Sequence, residues 1–435
     1  MKHLYLLSFI FFVTGAGRLS AQAPNIIRGP YLNSVTSNSA VIRWRTEQAT
    51  DSKVSFSTEL GKVESQPGST DAKLVTDHEV LVSGLQPTTK YYYSVGTTKS
   101  KAKAYAEQYF KTAPVVGTTT PIRIWALGDF GNSSKTQLDC RDAVIKSTAD
   151  HRPDVWIWLG DNAYNSGTDA EYQKHVFRVY QESFFTNTSL YPSPGNHDYG
   201  DSHGDGRDIS YFKIFTMPKN GEAGGIPSGS AAYYSVDYGN VHIISMDSQG
   251  KLDGGFRIYD TLSRQVEWLK KDLAANKLPW TVVYFHHPPY TKGSHDSDTE
   301  DELIKIRQNL LRIIERYNVD LVLSGHSHVY ERTHPLRGHY GAASTFDPKK
   351  HVVEQKDSPN HYRVGKGGQG VIYIVSGSGG QLGGQEEGYP LKAATYYNNT
   401  VGGSLILDFN DNKLDAKWIC ADGLVRDAFS ITKEK

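Results

Sequence analysis

One pattern constrains the fold of this chain more than any other: from Ile122 onward, short apolar runs stop at polar side chains able to bind a metal. The runs are Ile122 to Leu127, Val155 to Leu159, Thr281 to Phe285, Leu321 to Leu323 and Val371 to Val375. Between some of them, Thr261 to Ala275 and Glu302 to Tyr317 place apolar residues at three- and four-residue spacing, which predicts helices. Buried strands alternating with helices define a layered α/β domain. In such a sheet the loops at the carboxyl ends of strands converge on one crevice, so side chains distant in sequence can meet there.

Five short motifs bring the polar residues in order: Gly128-Asp129-Phe130-Gly131, Gly160-Asp161-Asn162-Ala163-Tyr164, Gly195-Asn196-His197-Asp198, Val283-Tyr284-Phe285-His286 and Gly325-His326-Ser327-His328. Each piece alone has an ordinary structural reading: a strand-ending turn, a half-buried aromatic ring, one face of a strand. As an ordered set they supply oxygen and nitrogen donors suited to iron, zinc or manganese, too many for a single four-coordinate ion. Two metals are expected. Glycine before four of these ligands is expected to permit a sharp turn and close backbone approach. His286 and His287 are neighbours, and the spacing from Val283 selects His286, with His287 on the other face of an extended segment.

At 435 residues the chain exceeds one ordinary domain. Residues 25–115 carry alternating runs (Ala40–Trp44, Lys53–Phe56, Glu79–Val82, Tyr91–Val95) between turn residues, as in a small antiparallel sandwich. Gly84-Leu85-Gln86-Pro87 through Tyr93, with Trp44 upstream, resembles the fibronectin type III pattern, whose aromatic residues pack between the sheets. Thr118-Thr119-Thr120-Pro121 reads as the junction to a second domain over 120–435. Residues 1–23 read as a signal peptide: Lys2 and His3, the apolar run Leu4 to Val13, then Ala21-Gln22-Ala23. That run is too short to span a bilayer, which takes about 20 residues, so a secreted or periplasmic protein without stable membrane insertion is expected. Lys plus Arg equals Asp plus Glu, 47 each, which argues against a nucleic-acid partner. Cys140 and Cys420 are too few for a disulfide framework and could be paired or buried and free. Asn132, Asn187 and Asn398 sit in Asn-x-Ser/Thr sequences, relevant only where the host glycosylates exported proteins.

The five motifs resemble the metallophosphoesterase superfamily. Tyr164, three residues after Asp161, and the extended run Gly325-His326-Ser327-His328-Val329-Tyr330-Glu331-Arg332 narrow the resemblance to the purple acid phosphatases. The sandwich ahead of them is similar to the plant-type architecture. The resemblance implies an α/β/β/α metallophosphoesterase domain behind a fibronectin type III-like β-sandwich. It implies Fe(III) held by Asp129, Asp161, Tyr164 and His328, with a divalent ion (Fe, Zn or Mn) held by Asn196, His286 and His326. Asp161 would bridge both, and a metal-bound hydroxide would attack small phosphate esters. His197 and His295 are the expected proton donors, while Asp198 and Arg332 are expected to orient ligands or support a loop. The implied activity is that of an exported acid phosphatase acting on monoesters. A phosphodiesterase or nucleotidase on the same metals, and more remotely a non-catalytic surface-binding protein, are the alternatives.

Overall fold

Val155–Leu159 reads Val-Trp-Ile-Trp-Leu and is buried at every residue, as a strand covered on both faces must be. It lies in parallel between Ile122–Leu127 and Ser189–Ser193, with Ile124 opposite Val155 and Leu159 opposite Ser193. The computed structural model describes residues 24–100, 103–200, 208–252, 254–365 and 370–434. The expected signal peptide, 1–23, lies outside the described residues.

Beyond Ile122–Leu127 the sheet continues in antiparallel through Gly403–Asn410, Lys413–Cys420 and Val425–Lys433. A second sheet runs Ala394–Asn398, Tyr330–Thr333, Ile372–Ser376, Leu321–Ser324, Trp280–Tyr284, Val241–Ser245, Tyr234–Tyr238, and its four strands from Ile372–Ser376 to Val241–Ser245 are parallel. Strand alternation sorts its side chains. Val282, Tyr284, Leu321, Leu323, Ile372 and Ile374 join the core shared with the first sheet. Val283, Phe285, Val322 and Tyr373 face outward onto Val266, Leu269, Leu310 and Ile314 of the helical layer. The expected α/β/β/α layering results.

The helix anticipated from Thr261 begins at Arg264, because the Ser263 Oγ accepts from the Val266 N–H at 3.2 Å and caps it. The helix anticipated over Glu302 to Tyr317 is Asp301–Arg316, interrupted at Ile306–Leu310 by a wider, π-type turn that carries the buried Arg307. Among the described residues, no helix is long and apolar enough to cross a membrane. Cys140 and Cys420 are both buried and unpaired.

The N-terminal β unit packs Trp44, Leu85, Tyr91 and Tyr93 inward, as the aromatic pattern predicts. The runs Ala40–Trp44 and Lys53–Phe56 belong to a single strand, Ser39–Ser57. Its exposed stretch Glu47-Gln48-Ala49 lies at a register shift, which hides the continuity from a reading of apolar alternation. The unit is also fused to the α/β domain. Ile26–Asn33 pairs in parallel with Ser189–Ser193 through Asn33 and Leu190, so the first sheet runs on into the N-terminal strands. Tyr31 and Tyr191 reinforce that seam by donating to the carbonyls of Ile214 and Val35, each at 2.7 Å.

Candidate metal centre

Five of the seven expected ligands lie two or three residues past the carboxyl end of a strand. Asp129 follows Leu127 by two residues, Asp161 follows Leu159 by two, and Asn196 follows Ser193 by three. His286 and His326 each stand two beyond a strand of the second sheet. The sharp turn occurs at the ligands themselves: Asp129, Asp161 and His326 have φ of +58°, +51° and +67°. Such left-handed backbone costs about 1 kcal/mol per side-chain-bearing residue, so the surrounding packing must impose it. Of the glycines expected to turn, only Gly160 has positive φ, +91°. The others are needed for space. A Cβ on Gly195 would lie 2.3 Å from Asp161 N and Oδ1, and one on Gly325 would lie 2.3 Å from Asp129 Oδ2.

The seven side chains form two nests that share one oxygen. In the first, Tyr164 Oη is 3.2 Å from Asp129 Oδ1, 3.2 Å from Asp161 Oδ2 and 3.3 Å from His328 Nε2. In the second, His286 Nε2 is 3.0 Å from Asn196 Oδ1, 3.2 Å from His326 Nδ1 and 3.4 Å from the same Asp161 Oδ2. Backbone groups aim the carboxylates: His197 N donates to Asp161 Oδ1 at 2.8 Å, and His326 N to Asp129 Oδ2 at 2.9 Å. His286 Nδ1 donates to the Leu159 carbonyl at 2.9 Å, which turns its Nε2 toward the nest. His326 presents Nδ1 to the nest and turns Nε2 toward Glu300 at 3.8 Å. Gln381 lies against His328 Nδ1 at 3.2 Å, and the imidazole turns its Nε2 toward Asp129 and Tyr164.

The electrostatics favour cations. Burial, with Asp129 and Asp161 beside it, raises the Tyr164 phenol well above its usual range, so its phenolate needs a strong positive partner. Burial would raise Asp161, but His286 and His197 outweigh it and hold the carboxyl well below its ordinary value. His326, buried and beside His286 and His295, is pushed down to about 4, keeping it neutral and able to ligate.

The two expected proton donors border the nests. His197 donates from Nδ1 to the Asn165 carbonyl at 2.6 Å, turning Nε2 toward Asp161 at 3.8 Å, and its ring lies 4.6 Å from that of Tyr164. His295 stacks on His326 with ring centroids 3.7 Å apart, and its Nδ1 is 3.0 Å from Glu300. His287 also comes within reach of His286 and His326 as a third imidazole, but its Nδ1 is engaged with the Ser248 hydroxyl at 2.8 Å and burial lowers its basicity. Asp198 accepts from Gly195 N, Asn162 N and Tyr172 Oη at 2.8, 3.1 and 2.6 Å, tying two motif loops together. Burial and the Asp161 charge push it up to about 7.

Arg332 departs from expectation. Its guanidinium reaches Asp427, Tyr362 and Asn360, with Nε to Asp427 Oδ2 at 2.7 Å, and contacts none of the expected ligands. The strand Tyr330–Thr333 carries it away from His328 and uses it to clamp the C-terminal strands. Its neighbour Glu331 supports the His295 loop instead, accepting from the Thr291 hydroxyl at 2.5 Å and Lys292 N at 3.3 Å. Sequence reasoning also missed Glu300, Gln381 and Asn162. Asn162 stands inside a motif and could have been noticed, but nothing local distinguishes Glu300 from Asp296, Asp298 and Asp301.

This arrangement defines a class. The model of the calcineurin-like phosphoesterases matches residues 122–330, and the model of the purple acid phosphatase N-terminal domain matches residues 28–112. Purple acid phosphatase 15 of Arabidopsis thaliana is 28% identical over 59% of this chain and 49% of its own. Purple acid phosphatase 23 of the same plant is 28% identical over 70% and 62%, and acid phosphatase type 7 of Danio rerio 27% over 69% of each. The chain thus spans 49% and 62% of the length of these two plant relatives. The solved purple acid phosphatase from yellow lupin seeds shares the fold, with TM-score 0.68, 18% identity, and coverage of 94% of this chain and 74% of that one. The chain thus carries a purple acid phosphatase N-terminal domain followed by a calcineurin-like phosphoesterase domain, and over both parts it is similar to the purple acid phosphatases.

Proposed function

We propose that this protein is an exported acid phosphatase that hydrolyses small phosphate monoesters at a pair of metal ions, Fe(III) beside a divalent ion. The observation that carries the reading is the shared Asp161 Oδ2, 3.2 Å from Tyr164 Oη in one nest and 3.4 Å from His286 Nε2 in the other. Bonds of about 2.0–2.2 Å to a common ion place neighbouring donor atoms about 3.0–3.5 Å apart, the spacing within both nests. The donor set fits the two sites unequally. Two carboxylates, a phenol and an imidazole suit a hard trivalent ion, and an amide oxygen with two imidazoles suits a softer divalent one. When bound, such a pair supplies Lewis acidity, an activated water and neutralisation of phosphoryl charge.

The remaining tasks fall to the chain's own side chains. His197, with its tautomer set by the Asn165 carbonyl, presents Nε2 to the site, where in its protonated form it can bind a phosphoryl oxygen and deliver a proton to the departing alkoxide. His295, oriented by Glu300, offers a second cationic donor on the divalent-metal side. Export rests on the sequence of residues 1–23.

Metal analysis together with a visible spectrum tests the centre. The wild type should hold two metals, one of them iron, and absorb in the visible, and Tyr164→Phe should lose the band. A colourless, iron-free wild type would remove the ferric assignment. Faster turnover of a diester than of a monoester would favour the diesterase alternative.

A further inference from the structure

The N-terminal sheet reaches His197 through an unbroken series of contacts that begins at Asp169. Arg28 donates to Asp169 Oδ1 at 2.9 Å, to Oδ2 at 3.0 Å and to the Asp169 carbonyl at 3.1 Å. Arg45 donates to the same carboxylate, to Oδ2 at 2.6 Å and Oδ1 at 3.0 Å. Two forked, charge-assisted pairs on one carboxylate fix its orientation as well as its position. The Arg28 side chain is 1% exposed and is braced by Gln173 Oε1 at 2.6 Å, which limits its freedom further.

Asp169 opens a short helical turn capped by Thr168, and Thr168 and Glu171 exchange the reciprocal hydrogen bonds of a capping box. Glu171 also reaches back along the chain. Its Oε1 accepts from Asn165 N at 2.5 Å and its Oε2 from Ser166 N at 3.1 Å. The carbonyl of that same Asn165 accepts the His197 Nδ1 proton at 2.6 Å. Gly167 seats the segment on its neighbour, since a Cβ there would lie 2.5 Å from the Asp198 Cα. The segment therefore has little room to shift without moving His197.

We propose that Asp169, held by Arg28 and Arg45 of the N-terminal sheet, is a positioning residue for His197, which makes the N-terminal β unit a working part of the hydrolytic site. The inference rests on the reading of His197 as proton donor. An ordinary docking contact between the two halves would stabilise the chain without touching proton delivery, and substrates that differ in their need for a proton separate the two cases. 4-Nitrophenyl phosphate releases a stable phenolate and needs little help, whereas an alkyl phosphate releases an alkoxide that needs a proton.

The test measures kcat and KM on both substrates for the full-length, metal-loaded protein as wild type, Asp169→Ala, His197→Ala, the double variant and Tyr93→Phe. Tyr93 donates to the Thr186 carbonyl at 3.0 Å, a contact between the same halves that lies off this path. Asp169→Ala should lower kcat on the alkyl ester about tenfold relative to the aryl ester through misplacement of the donor, with KM and metal content unchanged. His197→Ala should lower that ratio further, the double variant should be no worse than His197→Ala alone, and Tyr93→Phe should leave the ratio unchanged. Equal losses on both esters in Asp169→Ala, an additive double variant, or the same ratio change in Tyr93→Phe would each overturn the positioning role. An unchanged ratio in His197→Ala would remove the proton-donor assignment itself, and this inference with it.

Discussion

His242 should make the protein lose stability in alkaline solution by an amount the structure sets. The imidazole is 1% exposed, with Nδ1 2.6 Å from Asp237 Oδ1 and Nε2 2.9 Å from Asp272 Oδ2. The Ile226 and Gly225 N–H groups hold those carboxylates, at 2.7 Å to Asp272 Oδ1 and 3.2 Å to Asp237 Oδ2. With an acceptor at each nitrogen, the ring satisfies both only as the imidazolium. Burial alone would lower its pKa, but its hydrogen bonds to Asp237 and Asp272 outweigh burial and raise it from 6.5 to about 9. The folded state therefore holds the proton more tightly than the unfolded state. The resulting stability is fully present below pH 6.5 and is lost as pH rises through about 9. Its size is on the order of 3 kcal/mol. Urea unfolding of metal-saturated wild type and His242→Gln at pH 6 and pH 10 measures it, because groups remote from residue 242 cancel in the difference. The wild type should lose about 3 kcal/mol more than the variant over that range. Equal pH dependence in the two proteins, or a wild type that gains on the variant at high pH, would refute the reasoning.

Gly195→Ala would force a methyl group against the Asp161 backbone and carboxylate, and should cost at least about a hundredfold in kcat with metal content reduced, read by steady-state kinetics and elemental analysis. Trp156 is fully buried and stacks on Trp125 at 4.5 Å, so Trp156→Ala should lower the urea-unfolding free energy by about 3–5 kcal/mol. Removing metal with a chelator should abolish phosphatase activity and lower Tm, because it leaves Asp129 and Asp161 buried without their cations. Both should return when metal is restored, with Tm rising with free metal concentration.

How much was legible beforehand varied with how local the information was. Ile122–Leu127 and Val155–Leu159 were readable to the residue, since each is an apolar run, broken only by Arg123, that ends at a glycine followed by an aspartate. The strand Ser39–Ser57 was read as two, because its exposed middle carries no such signal. The seven candidate ligands were readable as motifs, and their placement at strand ends came with the sheet. Arg332 was misread because closeness in sequence to His328 says nothing about direction. Its actual partner, Asp427, lies 95 residues away on a strand of the other sheet. Glu300 was one acid among several in a polar loop until the fold set it against His295 and His326.

By itself, then, the amino-acid order determined which segments become buried strands and which donor atoms stand at their ends, because burial and backbone turning leave a mark within a few residues. Only the tertiary structure decided which Asp161 oxygen faces both nests, which imidazole nitrogen faces inward, and that Arg28 and Arg45 hold the segment beneath His197. Those are contacts between parts of the chain far apart in sequence, and their geometry exists only after the sheets have packed.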